Sequence, residues 1–499
     1  MELNRTFRGI PAAPRDFGFH IGGVARPTGG RAMLTREAPG YGVPVSRVTL
    51  CTRADVDEAA AAARVAFRSG SWSRISGAER GAVLLRMAAA IRAAAEELAY
   101  WETLETGKPI SQSLAEMNDA AGHYEYAAGV AQTLHGDAFN NLGEAMFGLV
   151  TRQPVGVVGL ITPWNFPFIV LAERIPYILA SGNSLVVKPS ELTSATTLMA
   201  AELFEAAGLP DGVYNVVTGT GPEVGQAISE HPGIDMVSFT GSTRVGGEVL
   251  RAAAATFKKV GLELGGKNPQ VVFADADLDD AADGVAFGLC FNAGQCCVSG
   301  SRLIVEASVA DAFRDKLVEK LARVKTGECL DPTTQLGAIV SAQHGEKILS
   351  YVELARDSGA VVACGGGMLD IAGGRFIAPT LITGVANDMR VAREEIFGPV
   401  LCMMTFASEA EALELANDSP YGLAASIWTK DIDKAVRMMR GVEAGRTWVN
   451  TTIAGGPGQP LGGFKQSGIG REGGVLGVEE YTEVKSIHIA VGKRTPWVA

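Results

Sequence analysis

Residues 236–246 read Met-Val-Ser-Phe-Thr-Gly-Ser-Thr-Arg-Val-Gly, a short apolar run followed by a glycine-containing turn and the start of a helical pattern. The same order of strand and helix occurs repeatedly before it. Predicted strands lie at 155–161, 184–187, 214–217 and 236–240, and predicted helices lie at 168–180, 193–207, 222–230 and 243–255. Alternation of this kind is typical of a parallel sheet covered by helices on both faces.

Two glycines, Gly265 and Gly266, end this first series, after which the alternation begins again. The second series predicts strands at 270–273, 303–305, 361–363 and 400–406. It also predicts one helix that ends near residue 290 and two more at 308–324 and 340–358. It indicates a second α/β domain that extends to about residue 465. Alanine-rich helices are predicted at 54–69, 77–106 and 110–134, an extended excursion at 135–153 and a strand at 481–491.

Length and composition limit the possible functions. A chain of 499 residues is too long for one hydrophobic core, so two or three domains are expected. The net charge of −11 argues against a nucleic-acid partner, because phosphate binding needs a basic face. Seven cysteines without a Cys-x-x-Cys spacing indicate free thiols in a reducing compartment.

Two further features concern localisation. Residues 1–6 lack the apolar stretch of a signal peptide. The most apolar region, 155–179, is interrupted by prolines and charged residues, so it is not expected to span a bilayer. A soluble, cytoplasmic protein is predicted.

Cys297 is the first candidate for chemistry. It follows Gly294-Gln295-Cys296 in a stretch of small residues, where a substrate could approach a thiol closely. A thiolate is a strong nucleophile at neutral pH. The alternative interpretation is that Cys297 is a small buried hydrophobe, as most free cysteines are.

Predicted strand ends carry a second group of candidates. Lys188 and Glu191 follow one strand, and a turn containing Gly241, Ser242 and Gly246 follows another. Parallel strands place these ends on one edge, where a helix N-terminus could bind a pyrophosphate. The spacing differs from the Gly-x-Gly-x-x-Gly fingerprint, so a plain helix start with an exposed Lys and Glu is the alternative.

Three more positions have local alternatives. Asn165 lies between two prolines after a strand and could donate to an oxyanion or cap the next helix. Glu263 precedes Leu-Gly-Gly and could be a general base in an apolar crevice or a surface carboxylate. The turn 394–399, Glu-Glu-Ile-Phe-Gly-Pro, is interpreted as structural when taken singly.

Taken together, seven segments resemble the motifs of the aldehyde dehydrogenase superfamily, in order and over nearly the whole chain. They are Pro163-Trp164-Asn165-Phe166-Pro167, Lys188-Pro189-Ser190-Glu191, Phe239-Thr240-Gly241-Ser242-Thr243, Glu263-Leu264-Gly265-Gly266-Lys267, Gly294-Gln295-Cys296-Cys297, Glu394-Glu395-Ile396-Phe397-Gly398-Pro399 and Lys465-Gln466-Ser467-Gly468-Ile469-Gly470-Arg471-Glu472.

This resemblance implies an α/β fold with two Rossmann-like parallel-sheet domains and a small β oligomerisation element. Residues 1–134 and 154–264 would form the NAD-binding domain, and 265–465 the catalytic domain. Residues 135–153 and 480–499 would form the oligomerisation element of a homodimer or homotetramer.

The resemblance also implies residue roles. Cys297, and not Cys296, would be the nucleophile, Asn165 the oxyanion donor and Glu263 the base, with Glu472 helping to relay protons. The cofactor contacts would be Ile161, Trp164, Lys188, Glu191, Gly241, Ser242, Gly246, Leu264, Glu395 and Phe397. No metal is expected.

The reaction implied is oxidation of an aldehyde through a thiohemiacetal and a thioester on Cys297, which water activated by Glu263 hydrolyses to the carboxylic acid. The Glu263 carboxylate favours hydrolysis over acyl transfer to coenzyme A. Glu191 would repel a 2′-phosphate, so NAD is expected, with NADP possible. A CoA-acylating enzyme and a non-catalytic binding or structural member of the fold are the alternatives.

By the same resemblance, the helix after Trp164 lines a substrate tunnel. Phe166, Val170 and Glu173 lie on one face of this helix. Glu173 either favours a cationic or hydroxylated substrate or pairs with a nearby arginine. The other tunnel residues would be Cys296, Val298 and Gly455, and Gly455 with Gly456 suggests room for a bulky aldehyde.

Overall fold

The computed structural model describes residues 9–493 and 496–498. The prediction for residues 1–6 therefore lies outside the described residues. The same holds for the first residues of the predicted segment 1–134 and for residues 494, 495 and 499 of the predicted segment 480–499. Within the described part of the chain, no helix combines the length and the apolar character needed to cross a membrane.

The first large sheet has eight strands. Five parallel strands form its centre, and antiparallel strands from distant parts of the chain complete both edges. In spatial order the strands are Gly468–Ile469, Lys259–Glu263, Met236–Thr240, Val157–Ile161, Ser184–Lys188, Tyr214–Val216, Phe19–Ile21 and Val24–Arg26.

Helices pack on both faces of the first sheet, as the alternation predicts. They are Arg53–Ser69, Gly77–Ala93, Ala95–Thr106, Ile110–Thr133, Pro167–Ala172, Ile175–Ala180, Ala195–Ala206, Gln226–Glu230 and Thr243–Ala254, with a π-helical turn at Gly221–Gly225. Two predicted helices are wrong in length. The helix predicted at 77–106 divides at Ala94, and the helix predicted at 168–180 divides before Pro176.

The second large sheet has seven strands, all parallel except the one at its edge. In spatial order they are Val361–Cys364, Thr380–Thr383, Val400–Phe406, Gly300–Glu306, Asn268–Val272, Ala424–Trp428 and Arg446–Val449. The helices of this part are Leu278–Cys290, Ala310–Ala322, Ala342–Asp357, Arg390–Arg393, Glu409–Asn417 and Ile432–Gly441, with 3₁₀ turns at Phe291–Gly294 and Ala307–Val309. Helix Gly474–Glu480 packs instead on helices Ile110–Thr133 and Ile175–Ala180 of the first part.

Four smaller sheets complete the fold. Thr482–Ala490, Met146–Pro154 and Asp137–Phe139 form a three-stranded antiparallel sheet, and Arg15–Phe17, Val43–Thr49 and Met33–Ala38 form another group of three. Met368–Leu369 pairs with Phe376–Ile377, and Tyr421–Gly422 pairs with Phe464–Lys465. The predicted class, two parallel α/β sheets with a small β element, is confirmed.

Polar caps explain where many helices begin. A side-chain oxygen at each start accepts a hydrogen bond from a backbone N–H of the first turn, which otherwise has no intrahelical partner. The capping residues are Ser76, Ser242, Asp277, Ser341, Ser408 and Asp431.

The first link between the two large sheets is very short. Strand Lys259–Glu263 belongs to the first sheet and strand Asn268–Val272 to the second, so residues 264–267 form this first connection. Residues 450–467 form a longer second connection, from strand Arg446–Val449 back to strand Gly468–Ile469. Gly265 is needed in the short link, since a Cβ there would lie 2.5 Å from Oε2 of Glu395. The carboxyl ends of the first sheet therefore face the second sheet across a crevice.

Candidate active site

Asn165 lies in the loop after strand Val157–Ile161 and is buried. Its side-chain nitrogen donates to the carbonyl oxygen of Gln295 at 3.0 Å. The backbone oxygen of Asn165 accepts a hydrogen bond from the side-chain nitrogen of Asn292 at 2.8 Å. Asn165 is thus held from both sides by the segment that leads to Cys297.

That segment has an unusual backbone. Asn292, Ala293 and Gly294 have φ values of 48°, 54° and 69°, three successive residues in the left-handed region. Gly294 is required here, because a Cβ would lie 2.3 Å from the carbonyl oxygen of Gly398. The turn reverses the chain after helix Leu278–Cys290 and presents Cys297 at the crevice.

Cys297 is a free thiol that lies partly exposed on the wall of a cavity, whereas Cys296 is buried. The pKa of Cys297 is raised well above its usual value, first by a hydrogen bond with the Cys296 side chain and then by burial. The nearby carboxylates of Glu263 and Glu173 raise the pKa further. The resting side chain is therefore a neutral thiol that needs a base.

Glu263 ends strand Lys259–Glu263 and is buried. Burial raises its pKa to about 8, with Arg174 lowering it and Glu472 raising it. Its Oε1 has no hydrogen-bond partner among the described residues. A carboxylate with a free oxygen and a pKa near neutrality has the properties of a general base.

Glu472 lies beside this carboxylate in a buried polar cluster. Tyr481 donates to its Oε2 at 2.9 Å, Ser238 donates to its Oε1 at 3.3 Å, and the Arg174 side chain lies 3.6 Å from the same Oε1. Burial raises the pKa of Glu472, while Arg174 lowers it. The sequence analysis did not identify Tyr481, Ser238 or the bridging role of Arg174.

A cavity of about 570 Å³ opens in front of Cys297. All six residues predicted to line a substrate tunnel lie on its wall: Phe166, Val170, Glu173, Cys296, Val298 and Gly455. The Phe166 ring stacks on the ring of Phe291 with centroids 5.7 Å apart, so the part of the cavity near these rings is apolar.

Two tunnel residues have contacts that bear on the predicted alternatives. Glu173 lies 3.4 Å from the Arg174 guanidinium, the structural pairing that the sequence left open. A Cβ at Gly455 would lie 3.4 Å from Nη1 of Arg446 and 3.3 Å from Oε1 of Gln459. The space next to Gly455 is thus bordered by polar atoms, while a Cβ at Gly456 would meet nothing within 4 Å.

Lys188 and Glu191 occupy the end of a neighbouring strand. Lys188 is buried, and its Nζ donates to the carbonyl oxygen of Pro189 at 2.9 Å and to Oε2 of Glu191 at 3.4 Å. Burial lowers the pKa of Lys188, and Glu191 opposes this shift. The adjacent strand ends at Ile161, which is also buried.

The turn after strand Met236–Thr240 begins a twelve-residue helix, Thr243–Ala254. Ser242 caps it by accepting a hydrogen bond from the backbone N–H of Val245. Gly241 donates to the Glu263 carbonyl oxygen at 3.0 Å. Gly246 lies inside the helix, where a Cβ would meet the Leu264 side chain at 2.5 Å, so in the fold this glycine permits close packing.

The turn that contains Glu395 and Phe397 faces the same crevice from the second sheet. The rings of Phe397 and Trp164 contact edge to face with centroids 5.4 Å apart. The His344 ring also contacts Trp164, with ring centroids 5.3 Å apart. The backbone N–H of Gly266 donates to Glu395 at 3.0 Å. His344, which the sequence analysis missed, holds the turn through the Phe397 carbonyl oxygen at 2.7 Å.

Within the described residues, no group of three or more His, Cys, Asp or Glu side chains is arranged to hold a metal ion. The buried polar atoms of the crevice come instead from carboxylates, amides, one lysine and the start of a helix. These groups are suited to hydroxyl, phosphate and carbonyl ligands.

Comparisons with known proteins agree with this geometry. The sequence model of the aldehyde dehydrogenase family matches residues 27–487. A betaine aldehyde dehydrogenase of Bacillus subtilis (strain 168) is 44% identical over 439 residues, which cover 87% of this chain and 90% of that protein.

Solved structures are also similar. An NAD-dependent aldehyde dehydrogenase from Sinorhizobium meliloti superposes with a TM-score of 0.96 at 47% identity, covering 97% of this chain and 96% of that chain. An indole-3-acetaldehyde dehydrogenase of P. syringae, in complex with NAD+, gives 0.93 at 41% identity, with 95% and 96% covered. The chain belongs to the aldehyde dehydrogenase family.

Proposed function

We propose that this aldehyde dehydrogenase converts its substrate to the carboxylic acid with NAD, and that Cys297, Asn165 and Glu263 are its catalytic residues. The observation that carries this assignment is the hydrogen bond from Asn165 to Gln295, which links the amide to the segment of the candidate nucleophile. Glu263 is near enough to raise the pKa of Cys297.

The first step is activation of the thiol. Because Cys297 is neutral at rest, its proton passes to the free Oε1 of Glu263, in the ionised form of that carboxyl, as Sγ adds to the aldehyde carbon. The carbonyl oxygen becomes an oxyanion. Asn165 uses one amide hydrogen for Gln295, so the second is available to the oxyanion.

The cofactor residues fit a dinucleotide. Helix Thr243–Ala254 offers first-turn N–H groups that lack intrahelical acceptors, and these suit a pyrophosphate. Lys188 and Glu191 would hold the adenosine ribose, and Ser242 and Gly241 the phosphates. Ile161, Trp164, Leu264, Glu395 and Phe397 would hold the nicotinamide half. NAD, when bound, supplies the two-electron acceptor of the oxidation.

The last step releases the acid. Glu263 first releases the proton that it took from Cys297 and then takes one from water, and the resulting hydroxide adds to the thioester carbon. The carbon–sulfur bond breaks, so the acid is released, and the Cys297 thiolate leaves and takes up the proton from Glu263. The Glu472 carboxylate, held by Tyr481 and Ser238, lies next in the buried cluster and is our candidate for moving the proton onward. A general base at Glu263 supports hydrolysis over transfer to coenzyme A.

We extend the proposal to domains and assembly. Residues 1–134 and 154–264 would bind the cofactor, 265–465 would carry the nucleophile, and 135–153 with 480–499 would mediate a homodimer or homotetramer. Exposed Phe139, Val484 and Ile489 on the three-stranded sheet support this last assignment. Seven free cysteines support a reducing, cytoplasmic location.

The decisive experiment measures NADH formation by absorbance with aliphatic, aromatic, amino and carboxylated aldehydes, using NAD or NADP, with and without coenzyme A. We expect turnover without coenzyme A, an acid product and a preference for NAD because of Glu191. A thioester product that requires coenzyme A would replace hydrolysis with acyl transfer. Absence of turnover with every aldehyde and both cofactors would favour a non-catalytic member of the fold.

A further inference from the structure

Arg446 begins strand Arg446–Val449, at the edge of the second sheet, and its side chain lines the cavity in front of Cys297. It is partly exposed to that cavity. Nη2 donates a long hydrogen bond, 3.4 Å, to the Gln459 carbonyl oxygen. Across residues 9–493 and 496–498, Arg446 makes no ion pair. A guanidinium stays charged at any physiological pH, so this positive charge on the cavity wall is not neutralised by the protein.

The other titratable groups on the cavity wall are Arg92, Glu116, Asp119, His123, Glu173 and Glu472. Four of them have an ionic partner. Arg92 pairs with Glu125 at 3.0 Å, Glu116 with Lys108 at 2.5 Å, and Glu173 and Glu472 both lie near Arg174, at 3.4 and 3.6 Å.

The remaining two groups, His123 and Asp119, form no ion pair with Arg446. His123 is held neutral because burial lowers its pKa, and its Nδ1 lies 2.9 Å from the Tyr177 hydroxyl. Asp119 makes no ion pair among the described residues and lies on an exposed part of helix Ile110–Thr133. Of the two arginines on the cavity wall, Arg92 is thus paired with a carboxylate, whereas Arg446 has no carboxylate partner among the described residues.

The local backbone leaves the guanidinium accessible. Gly455 and Gly456 follow on the adjacent loop, and a Cβ at Gly455 would already lie 3.4 Å from Nη1. A larger residue at position 455 would cover Arg446. The planar fork of N–H groups can bind both oxygens of a carboxylate at once.

From these contacts we propose that Arg446 binds a carboxylate at the far end of the substrate, so that the preferred aldehydes carry a terminal carboxylate. This inference rests on the proposed function, since the aldehyde end must reach Cys297. Phe166 and Phe291 then contact the methylene groups between the two ends.

The test compares three aldehydes of matched length: one with a terminal carboxylate, one neutral, and betaine aldehyde as the cationic member. A homologous series of carboxylated aldehydes sets the best length. We expect Arg446→Gln to lower kcat/KM for the carboxylated aldehyde by about 10- to 100-fold, mainly through KM, because a charge-assisted hydrogen bond is lost. Arg446→Lys should recover part of this loss.

Arg92→Gln is the matched control, because Arg92 lines the same cavity but is paired with Glu125. It should leave the ratio of the carboxylated to the neutral substrate unchanged. Equal losses on all three aldehydes in Arg446→Gln would overturn the proposal, as would a preference of the unmodified enzyme for betaine aldehyde.

A binding measurement separates this proposal from the proposed function. Calorimetric titration of Cys297→Ala with the dicarboxylate product should show binding that Arg446→Gln, added to the same variant, weakens about 10-fold or more. If the neutral aldehyde is oxidised but the carboxylate has no advantage, only the Arg446 inference fails. If no aldehyde is oxidised, the proposed function fails.

Discussion

The side-chain nitrogen of Asn165 lies 3.0 Å from the carbonyl oxygen of Gln295, and this hydrogen bond crosses from the first sheet to the turn that carries Cys297. Gln295 is itself fixed, since its side chain accepts from Val340 N–H at 2.9 Å and donates to the Asn292 carbonyl oxygen at 3.1 Å. The candidate oxyanion donor is therefore positioned by the same segment as the candidate nucleophile.

Asn165→Ala should lower kcat by about 10²- to 10³-fold, because one oxyanion donor is removed. Steady-state NADH formation and a thermal melt measure activity and stability separately. Asn118→Ala is the control, because Asn118 lines the same cavity but is exposed, donates to Leu114 in its own helix and accepts a long hydrogen bond from Arg92. A loss of less than about tenfold at unchanged Tm would remove Asn165 from the oxyanion site.

Cys297→Ala should abolish oxidation, with a decrease of at least about 10³-fold, because no thioester can form. Cys296→Ala should stay within a few-fold of the unmodified enzyme. It should also lower the pKa of Cys297, since the hydrogen bond with Cys296 is the largest contribution that raises it. Alkylation rate against pH reports that pKa. If the two alanine variants exchanged phenotypes, the nucleophile would be Cys296.

Much of the first sheet could be predicted, because each buried strand is a short apolar run and each helix follows a polar or glycine turn. The error at 168–180 had a visible signal, since Pro176 cannot continue a helix that precedes it. The division at Ala94 had none. Ala94 is a good helix former, so its residue type does not mark the break.

For the candidate site, the sequence indicated the residues that lie in motifs more readily than those outside them. Glu263 and Cys297 lie in contiguous motifs, and the resemblance of these motifs to the family allowed both residues to be proposed from the sequence. Arg174, Ser238 and Tyr481 meet at Glu472 from three separate segments, so no motif marks them. Arg446 becomes visible only when the second sheet is assembled, because its strand was not predicted.

The raised pKa of Glu263 leads us to expect that the hydrolysis rate depends on pH. With a pKa of about 8, the base form increases as pH rises through that value, so the hydrolysis rate should rise and level off above it. Glu263→Gln should lower turnover by about 10²- to 10⁴-fold, because it removes the base for both thiol activation and hydrolysis. A pH profile unchanged by the substitution would assign the ionisation to another group.

The same pKa shift affects stability with a definite sign. The folded state keeps a proton on Glu263 that the unfolded chain releases near its ordinary value of 4.5. Between that value and about 8 the folded state binds more protons, so this group destabilises the fold as pH rises. Glu263→Gln should therefore gain stability over the unmodified enzyme at alkaline pH, and a smaller gain is expected near neutrality. Denaturant unfolding at both pH values measures the difference.

Among the proposed variants, Lys108→Met is expected to lose the most free energy of unfolding. The Lys108 Nζ is fully buried, 2.8 Å from Glu102 and 2.5 Å from Glu116, and it lies 4.3 Å from the centroid of the Phe166 ring. Lys108→Met removes the cation and leaves two buried carboxyls, which should cost about 3–5 kcal/mol in the free energy of unfolding. Glu102 also accepts from Phe168 N–H at 3.2 Å, so the segment that carries Asn165 should loosen and kcat should fall as well.

A second variant separates the loss of charge balance from the loss of packing. Adding Glu116→Gln to Lys108→Met removes one of the stranded carboxyls, so it should recover part of the lost stability. Arg92→Gln breaks a solvent-screened pair and should change stability by no more than about 1 kcal/mol. If Lys108→Met cost as little as Arg92→Gln, the buried cluster would not stabilise the wall of the cavity, and the link from Glu102 to the Asn165 loop would lose its support.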